Sequence, residues 1–590
     1  MKILQNKFDD NRVIMSQMKF ISDADRAVED ALVGLKCAYP ALYVDKKNRI
    51  VLSNQISKNR VALLSGGGSG HEPFSIGFVG DGMLSGAVAG LVFASPPTRT
   101  ISAAIRALAE QNGNSGVLVI VMNYTGDILN FGLALESARS ENIDAEMVVI
   151  SEDCSRINEE VQGAGRRGLC GNCFIFKIAG NMAKCGIKLS YIAAECRQIN
   201  DFMSTLGATV SSCTVPGVGS LFSLGPDEVE IGLGVHGEIG TCRRKLCTID
   251  ELVNLMVSKI AQSLHLAAGS NVCVVINNLG SISHLELGII CNKVYNCLTE
   301  SQITTCRLYS GSFMTSLDMA GFQISVLNIT EHPEWLEHLD SNTSAPGWPS
   351  TCISIPIPMN ENRIAIKNNN LELNKIGPKL SANEASLFEK CLCSIANVFI
   401  QKEEFLNKLD TFSGEGDIGS ALRRFSECIL QNMPKLDLEY PAVCFFHMSR
   451  LMQNIGGQSC TLYSILLASA TRYLASTSKM DWLKMWKSSL DSLVCYSKAK
   501  IGDRTMVDVL VPVYDTFCNN ITNKKEVLTA FEEAVNVGKI NCEKTRFMKA
   551  RASTSSAENE EESDEVECGA FATTLWLEAI HRTIHNYFFE

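Results

Sequence analysis

Between residues 22 and 350 the chain repeatedly carries short runs that are apolar at nearly every position, and after residue 384 such runs almost vanish. A strand open to water on one face alternates apolar and polar residues, whereas one covered on both faces does not. The runs at 61–64, 116–122, 146–150, 271–276 and 323–327 therefore read as strands buried between helices, and 24–36 and 101–111 have helical spacing. The first part is predicted to be an α/β domain. From 384 onward, stretches such as 386–400, 444–454, 460–474, 481–497, 527–537 and 569–584 keep the spacing of helices, so the second part is predicted to be all-α. The boundaries expected are an N-terminal segment at 1–21, an α/β domain at 22–357, a linker at 358–383 and an all-α domain at 384–590. The linker is rich in Asn, Lys and Glu and contains Gly377-Pro378. Residues 553–567 are Ser/Thr/Ala followed by an acidic run; they cannot bury apolar area and read as a mobile, solvated loop.

Composition narrows the function classes. The formal net charge is −11, and gripping a phosphate backbone needs clustered Lys and Arg, so no nucleic-acid partner is expected. No apolar run approaches the ~20 residues needed to cross a bilayer, and residues 1–19 are polar and mixed in charge, unlike a secretory or transit signal. No membrane partner is expected, and the setting expected is cytoplasmic. The 23 cysteines are scattered through both halves and read as small buried hydrophobes kept reduced. Cys170-Gly171-Asn172-Cys173 has no second CxxC at zinc-ribbon spacing, so it too reads as structural.

Three strings carry chemistry. The first, Ser65-Gly66-Gly67-Gly68-Ser69-Gly70-His71-Glu72-Pro73, follows the strand at 61–64. A strand that runs into glycines puts bare backbone N–H groups at its C-terminal end, where open α/β sheets hold ligands. Ser69 and His71 would add a hydroxyl and an imidazole at the rim. No Gly-Lys-Ser/Thr follows, so this is not a nucleotide P-loop, and no third glycine opens a helix as a dinucleotide site requires. The competing reading is a structural turn with a core histidine. The second string is Gly232-Leu233-Gly234-Val235-His236-Gly237-Glu238-Ile239-Gly240, whose glycines are expected to leave the imidazole uncrowded. A neutral imidazole can add to a ketone or aldehyde carbon near pH 7; a histidine held in a tight turn is the alternative. The third, residues 409–420, places Asp410, Glu415 and Asp417 on a turn that opens a helix, with Ile418, Gly419 and Ser420 at the helix start. Oxygen-only clusters suit Mg²⁺, and a helix start offers N–H groups to an anion. A solvated capping turn is the competing reading.

The first string, with Gly77-Phe78-Val79-Gly80 and Gly82-Met83-Leu84 after it, resembles the substrate loop of the dihydroxyacetone kinase family. That resemblance extends over nearly the whole chain. It implies an α/β substrate domain followed by a helical barrel that holds ATP with two Mg²⁺ ions. It implies that His236 forms a covalent hemiaminal with the carbonyl of a triose, dihydroxyacetone or glyceraldehyde. Gly68, Ser69, Gly70 and His71 would line the same pocket, and Asp127, in Asn123-Tyr124-Thr125-Gly126-Asp127, would take or orient the hydroxyl proton. A reversible bond suits a substrate with few atoms to grip and discriminates against glycerol, which has no carbonyl. Met122 stands where the family usually has a substrate-contacting lysine. In the second half the resemblance implies metal ligation by Asp410, Glu415 and Asp417, where Glu415 replaces an aspartate. It implies nucleotide contacts from Asp417, Ile418, Gly419 and Ser420, from Gln458 and Ser459 of Gly456-Gly457-Gln458-Ser459, and from Arg504 and Thr505 of 502–508. Gly569, in Glu567-Cys568-Gly569, stands for the family's Asp-Pro-Gly and would also meet the nucleotide. Lys549-Ala550-Arg551-Ala552-Ser553 keeps a trace of a Gly-rich lid. A homodimer is implied, with one chain's nucleotide domain facing the other's substrate domain. Animal members of the family also cyclise FAD to cyclic FMN in the same nucleotide site, with Mn²⁺ or Co²⁺. A rival reading is a catalytically weakened member acting as a binding or regulatory protein. Met122, Glu415 and the altered tail favour it; His71, Asp127, His236, Asp410 and Asp417 oppose it.

Overall fold

The computed structural model describes residues 19–156, 165–238, 240–349, 375–411, 416–550 and 564–589. The chain divides into two units, 1–364 and 365–590. Glu415, residues 358–374 of the expected linker and residues 553–563 of the acidic loop lie outside the described residues.

In chain order the first unit runs α1 (Ala27–Ala38), β1 (Leu42–Asp45), β2 (Ile50–Ser53), β3 (Ala62–Ser69), β4 (Gly86–Val92), α2 (Thr98–Gln111), β5 (Val117–Met122), α3 (Thr125–Ser140) and β6 (Ala145–Ile150). It continues with α4 (Asn172–Lys184), α5 (Leu189–Asp201), β7 (Met203–Thr209), β8 (Thr214–Val215), β9 (Gly219–Ser220), β10 (Glu228–Ile231), β11 (Cys242–Lys245) and α6 (Ile249–Ser263). The unit closes with β12 (Asn271–Asn278), α7 (His284–Glu300), β13 (Thr304–Gly311), β14 (Gly321–Asn328) and α8 (Trp335–Asp340). Two six-stranded sheets result, ordered β1-β2-β4-β3-β5-β6 and β11-β10-β7-β14-β12-β13. In the first, β4, β3, β5 and β6 pair in parallel. All six residues of β5 are buried, as its unbroken apolar run requires. In the second, only β12 and β13 pair in parallel.

Two features depart from the expectation. The strand at 61–64 does not stop where the glycines begin: β3 continues through Gly66 and Gly67, which pair with Val88 and Ala89 of β4. The reason is close approach, since a Cβ on Gly66 would overlap the Val88 carbonyl oxygen and stand 3.0 Å from Phe131 Cζ. The second departure is the β10–β11 hairpin, Glu228↔Lys245 to Ile231↔Cys242, whose connecting loop carries His236. Its strands are too short and too polar to announce themselves by periodicity.

Among its described residues the second unit contains only helices: α9 (Ala382–Gln401), α10 (Glu403–Asp410), α11 (Ile418–Asn432), α12 (Pro441–Ile455), α13 (Gln458–Ala475), α14 (Trp482–Ser497), α15 (Val507–Thr522), α16 (Val527–Lys544) and α17 (Cys568–Phe589), with short 3₁₀ turns. One core, including Leu406, Leu422, Leu493, Val509, Val513 and Leu577, joins them. Among the described residues no helix is long and apolar enough to cross a membrane, and none of the cysteines is in a disulfide. Cys170 and Cys173 are fully buried, and burial pushes both thiols well up.

Candidate active site

His236 sits on the β10–β11 loop, and the loop folds so that Glu238 turns back on it. Glu238 Oε2 accepts the His236 backbone N–H at 2.9 Å, and Oε1 lies 3.3 Å from Nδ1. The proton between them therefore belongs on Nδ1, which leaves the Nε2 lone pair free. The expectation of an uncrowded imidazole is corrected: three rings box it in, near-perpendicular, with centroids at 4.7 Å (His71), 4.8 Å (Tyr124) and 5.3 Å (Phe93). The glycines around it serve packing instead. A Cβ on Gly234 would overlap Glu238 Oε2 and stand 2.8 Å from Arg167 Nη1.

The glycine string brings His71 to the same place but not at a rim. His71 is fully buried, stacked on Phe93 at 4.9 Å, and its Nδ1 donates to the Thr315 carbonyl at 2.9 Å. Its Nε2 is buried without a hydrogen-bond partner. Burial, then the neighbouring His236, push its pKa down to about 3, against a smaller opposing effect of the Thr315 carbonyl, so it is neutral. Ser69 is buried too, and its hydroxyl donates to the Gly90 carbonyl at 2.8 Å. The Gly70 amide is likewise engaged, by Glu72 Oε2 at 2.9 Å, and Gly68 packs against the backbone of Phe93 and Ala94. These three thus pack the chain around His71, and the Ser69 hydroxyl and Gly70 amide are used within the fold.

Asp127 lies in the first turn of α3, 3% exposed, and its Oδ1 has no hydrogen-bond partner. Burial raises its carboxyl above the usual range, with Ser95's hydrogen bond and the charge of His236 opposing. A raised, half-satisfied carboxyl suits taking a proton. Met122, at the end of β5, is buried and accepts from Asn172 Nδ2 at 3.2 Å. The residues that sequence reasoning passed over are Phe93, Thr315, Ser95, Arg167, Asp153 and Glu238. Glu238 stands inside the string that was read, but a two-residue offset does not reveal that the chain doubles back. The others come from loops remote in sequence and carry no local signal.

The polar turns of the helical unit also converge. Asp410, 7% exposed at the end of α10, accepts the N–H groups of Asp417 (3.0 Å) and Ile418 (3.3 Å) with Oδ2, and its Oδ1 takes the Cys568 thiol at 3.3 Å. Ser420 donates its N–H to Asn407 Oδ1 at 3.0 Å, and its hydroxyl bonds Glu403. The start of α11 is thus partly satisfied by side chains, which corrects the picture of an open amide at Ser420. Ile418 itself packs in the core, and a Cβ on Gly419 would overlap the Glu403 carbonyl. Asp417 is exposed beside this turn, and its charge helps raise the Cys460 thiol on α13, after burial. Gln458 is exposed at the α13 start, next to Ser459, and Gly456 and Gly457 face open space at φ of 80° and 86°. Arg504 donates to the Glu565 carbonyl at 3.1 Å, and its Nε is buried without a partner. Thr505 N–H and Gly502 N–H both go to Asp508, which is 1% exposed. Gly569 N–H goes to Glu567 Oε1 at 2.9 Å. Burial raises the Glu567 carboxyl, opposed first by the Gly569 and Ala570 amides and last by Arg504. Asp417 is brought to Asp410 through its backbone N–H, which Asp410 Oδ2 accepts, and carboxylate oxygens are the donor type a hard divalent cation takes.

The chain matches the Dak1 domain family over residues 33–347 and the DAK2 domain family over residues 413–582. It is 37% identical over 581 residues to the triokinase/FMN cyclase of Mus musculus, covering 96% of this chain and 98% of that protein. To the dihydroxyacetone kinase of Komagataella pastoris it is 33% identical, covering 90% and 91%. The crystal structure of the dihydroxyacetone kinase of C. freundii, in native form, superposes with a TM-score of 0.76 at 30% identity, covering 96% and 99%. The complex of that enzyme with AMP-PNP and Mg²⁺ superposes equally well.

Proposed function

The chain belongs to the dihydroxyacetone kinase family, and from that membership we propose that it transfers a phosphoryl group from ATP to the primary hydroxyl of dihydroxyacetone, and of glyceraldehyde. The observation that carries this reading is the boxed imidazole of His236, with a carboxylate on Nδ1 and two buried unpartnered acceptors, His71 Nε2 and Asp127 Oδ1, in the same unit. A small polyol carbonyl answers all of these groups at once. His236 Nε2 adds to the carbonyl carbon: the N–C bond forms and the C=O π bond breaks. The oxygen takes up a proton while Nδ1 gives one up through Glu238, so the adduct is a neutral hemiaminal. His71 Nε2, lacking a proton, accepts from a substrate hydroxyl, and Asp127 receives the proton of the hydroxyl that is phosphorylated. Chemistry of this kind rests on positioning and charge neutralisation.

In the helical unit, Asp410 and Asp417 would hold Mg²⁺, which supplies neutralisation of phosphate charge. Arg504, Thr505, the turn at Gly456 to Ser459 and Gly569 would bind and orient ATP. Cyclisation of FAD to cyclic FMN in the same site with Mn²⁺ or Co²⁺, a homodimer and a cytoplasmic setting belong to the same proposal. The rival, a weakened member that binds without turnover, finds its support in the α11 start, where Asp410 and Asn407 already take three backbone N–H groups.

The test is a coupled assay with ATP, Mg²⁺ and either triose, run beside His236→Ala. Turnover is expected to fall at least ~10²-fold in the variant, the scale of losing substrate positioning. Equal rates in the two proteins would overturn the anchor role. No turnover by the unaltered chain would favour the rival.

A further inference from the structure

Behind His236 lies a pair of opposite charges with no direct part in the chemistry just described. Arg167 is 6% exposed and Asp153 is fully buried. The guanidinium gives Nε to Asp153 Oδ2 at 2.8 Å, Nη2 to the same oxygen at 2.7 Å and Nη2 also to the Gly232 carbonyl at 2.6 Å. Its last nitrogen, Nη1, is buried with no hydrogen-bond partner. Across Gly234, Nη1 and Glu238 Oε2 crowd the position a Cβ would occupy. Burying two charges costs several kcal/mol per ion before their attraction is counted, and an apolar pair would often be as stable. Here the leftover donor and the carboxylate that holds the imidazole border the same glycine, Gly234.

We propose that Arg167, clamped by Asp153, is a positioning residue: its buried charge beside Gly234 helps hold the Glu238 carboxylate in place against the imidazole, so that His236 keeps its proton on Nδ1 and presents the Nε2 lone pair to the substrate carbonyl. This rests on the reading of His236 as the carbonyl anchor. The surroundings agree. Burial alone would raise Glu238's carboxyl, yet the hydrogen bond and charge of His236, helped by its own backbone N–H and by Arg167, hold it at about 2. The titratable groups that face this centre are His236, His71, Tyr124, Asp127, Asp153 and Arg167, and burial raises the Asp127 carboxyl. His71 is neutral, Tyr124 is pushed well up by burial, and Asp153 is spent on Arg167, so the guanidinium is the positive charge at Glu238 that does not titrate. Gly234 belongs to the same device, because any side chain there would part the two groups.

The full-length chain would be mixed with dihydroxyacetone labelled with ¹³C at the carbonyl, and the tetrahedral adduct carbon followed by NMR from pH 5 to 9, with His236→Ala as the blank. Arg167→Gln is expected to form roughly tenfold less adduct at neutral pH. Its acid limb should move up by about one pH unit, a factor of ten per unit. Arg167→Lys, which keeps the charge, should stay within about threefold of the unaltered chain. In turnover, KM for the triose should rise more than kcat falls. An adduct in the unaltered chain and an undiminished, unshifted one in Arg167→Gln would overturn the positioning role and leave the anchor standing. No adduct in the unaltered chain would overturn both. Should Arg167→Gln fail to fold, Arg167→Lys decides, since a loss as complete as that of His236→Ala would mean that the charge does not matter.

Discussion

Glu152 is fully buried between the sheets, where Oε1 accepts the N–H groups of Leu169 (2.9 Å) and Gly171 (2.8 Å) and Oε2 has no partner. Burial raises its pKa to about 7, with the Leu169 amide foremost among the opposing groups. The sign follows from linkage. A carboxyl raised in the folded state holds a proton that the unfolded chain has released, so its stabilisation is present below pH ~4.5 and lost as pH rises through about 7. Glu152→Gln keeps the Oε1 acceptor and removes the titration. The variant is expected to melt near the unaltered temperature at pH 4.5 and clearly above it at pH 8, with up to ~3 kcal/mol gained. A melting difference independent of pH would show that the carboxyl does not titrate in this range. The contrast with Glu238 is instructive: Glu238 is only half-buried and has the His236 imidazole on its carboxylate, whereas Glu152 is fully buried and Arg166 reaches only its backbone carbonyl.

At the scale of elements, the structure separates glycines that serve close approach from residues that serve helix ends. Gly66 lets β4 lie against β3, and an alanine there must push the Val88 carbonyl aside. Gly66→Ala is expected to cost about 3 kcal/mol or more, the upper range of overpacking, and to weaken triose binding because β3 delivers His71. Ser381, by contrast, caps α9 in a reciprocal box with Glu384 on an exposed helix end. Ser381→Ala should cost about 1 kcal/mol and leave the triose affinity unchanged. Paired denaturation and triose-binding measurements check both; equal effects of the two variants on triose binding would contradict the assignment of β3 to the site.

For the whole molecule, His71 and Glu238 set the response to acid. Both have folded pKa values below the unfolded ones, so each contributes stability that is present at neutral pH. That of His71 is lost from pH ~6.5 down to about 3, and that of Glu238 from ~4.5 down to about 2. Glu152 works the other way between 4.5 and 7, so a shallow dependence of melting temperature on pH is expected above ~4.5 and a steep fall below it. A steep fall that starts already near pH 6.5 would contradict the compensation by Glu152; no loss of stability at any pH below 6.5 would contradict the neutral, buried state of His71. Much of this architecture was legible in the chain itself. The unbroken apolar run of β5 could only be a strand covered on both faces, and the helical spacing after 384 could only bury itself against other helices, because period and burial are local consequences of side-chain order. The strings around residues 65–73, 232–240 and 409–420 named the places where polar groups would gather. What they could not name was which group ends up beside which. That Ser69 spends its hydroxyl on Gly90, that Phe93 and Tyr124 box His236, and that Arg167 and Glu238 border the same glycine all depend on loops brought together across two sheets. Such contacts are decided by packing and by the need of every buried donor for an acceptor, and neither is written in the order of neighbouring residues.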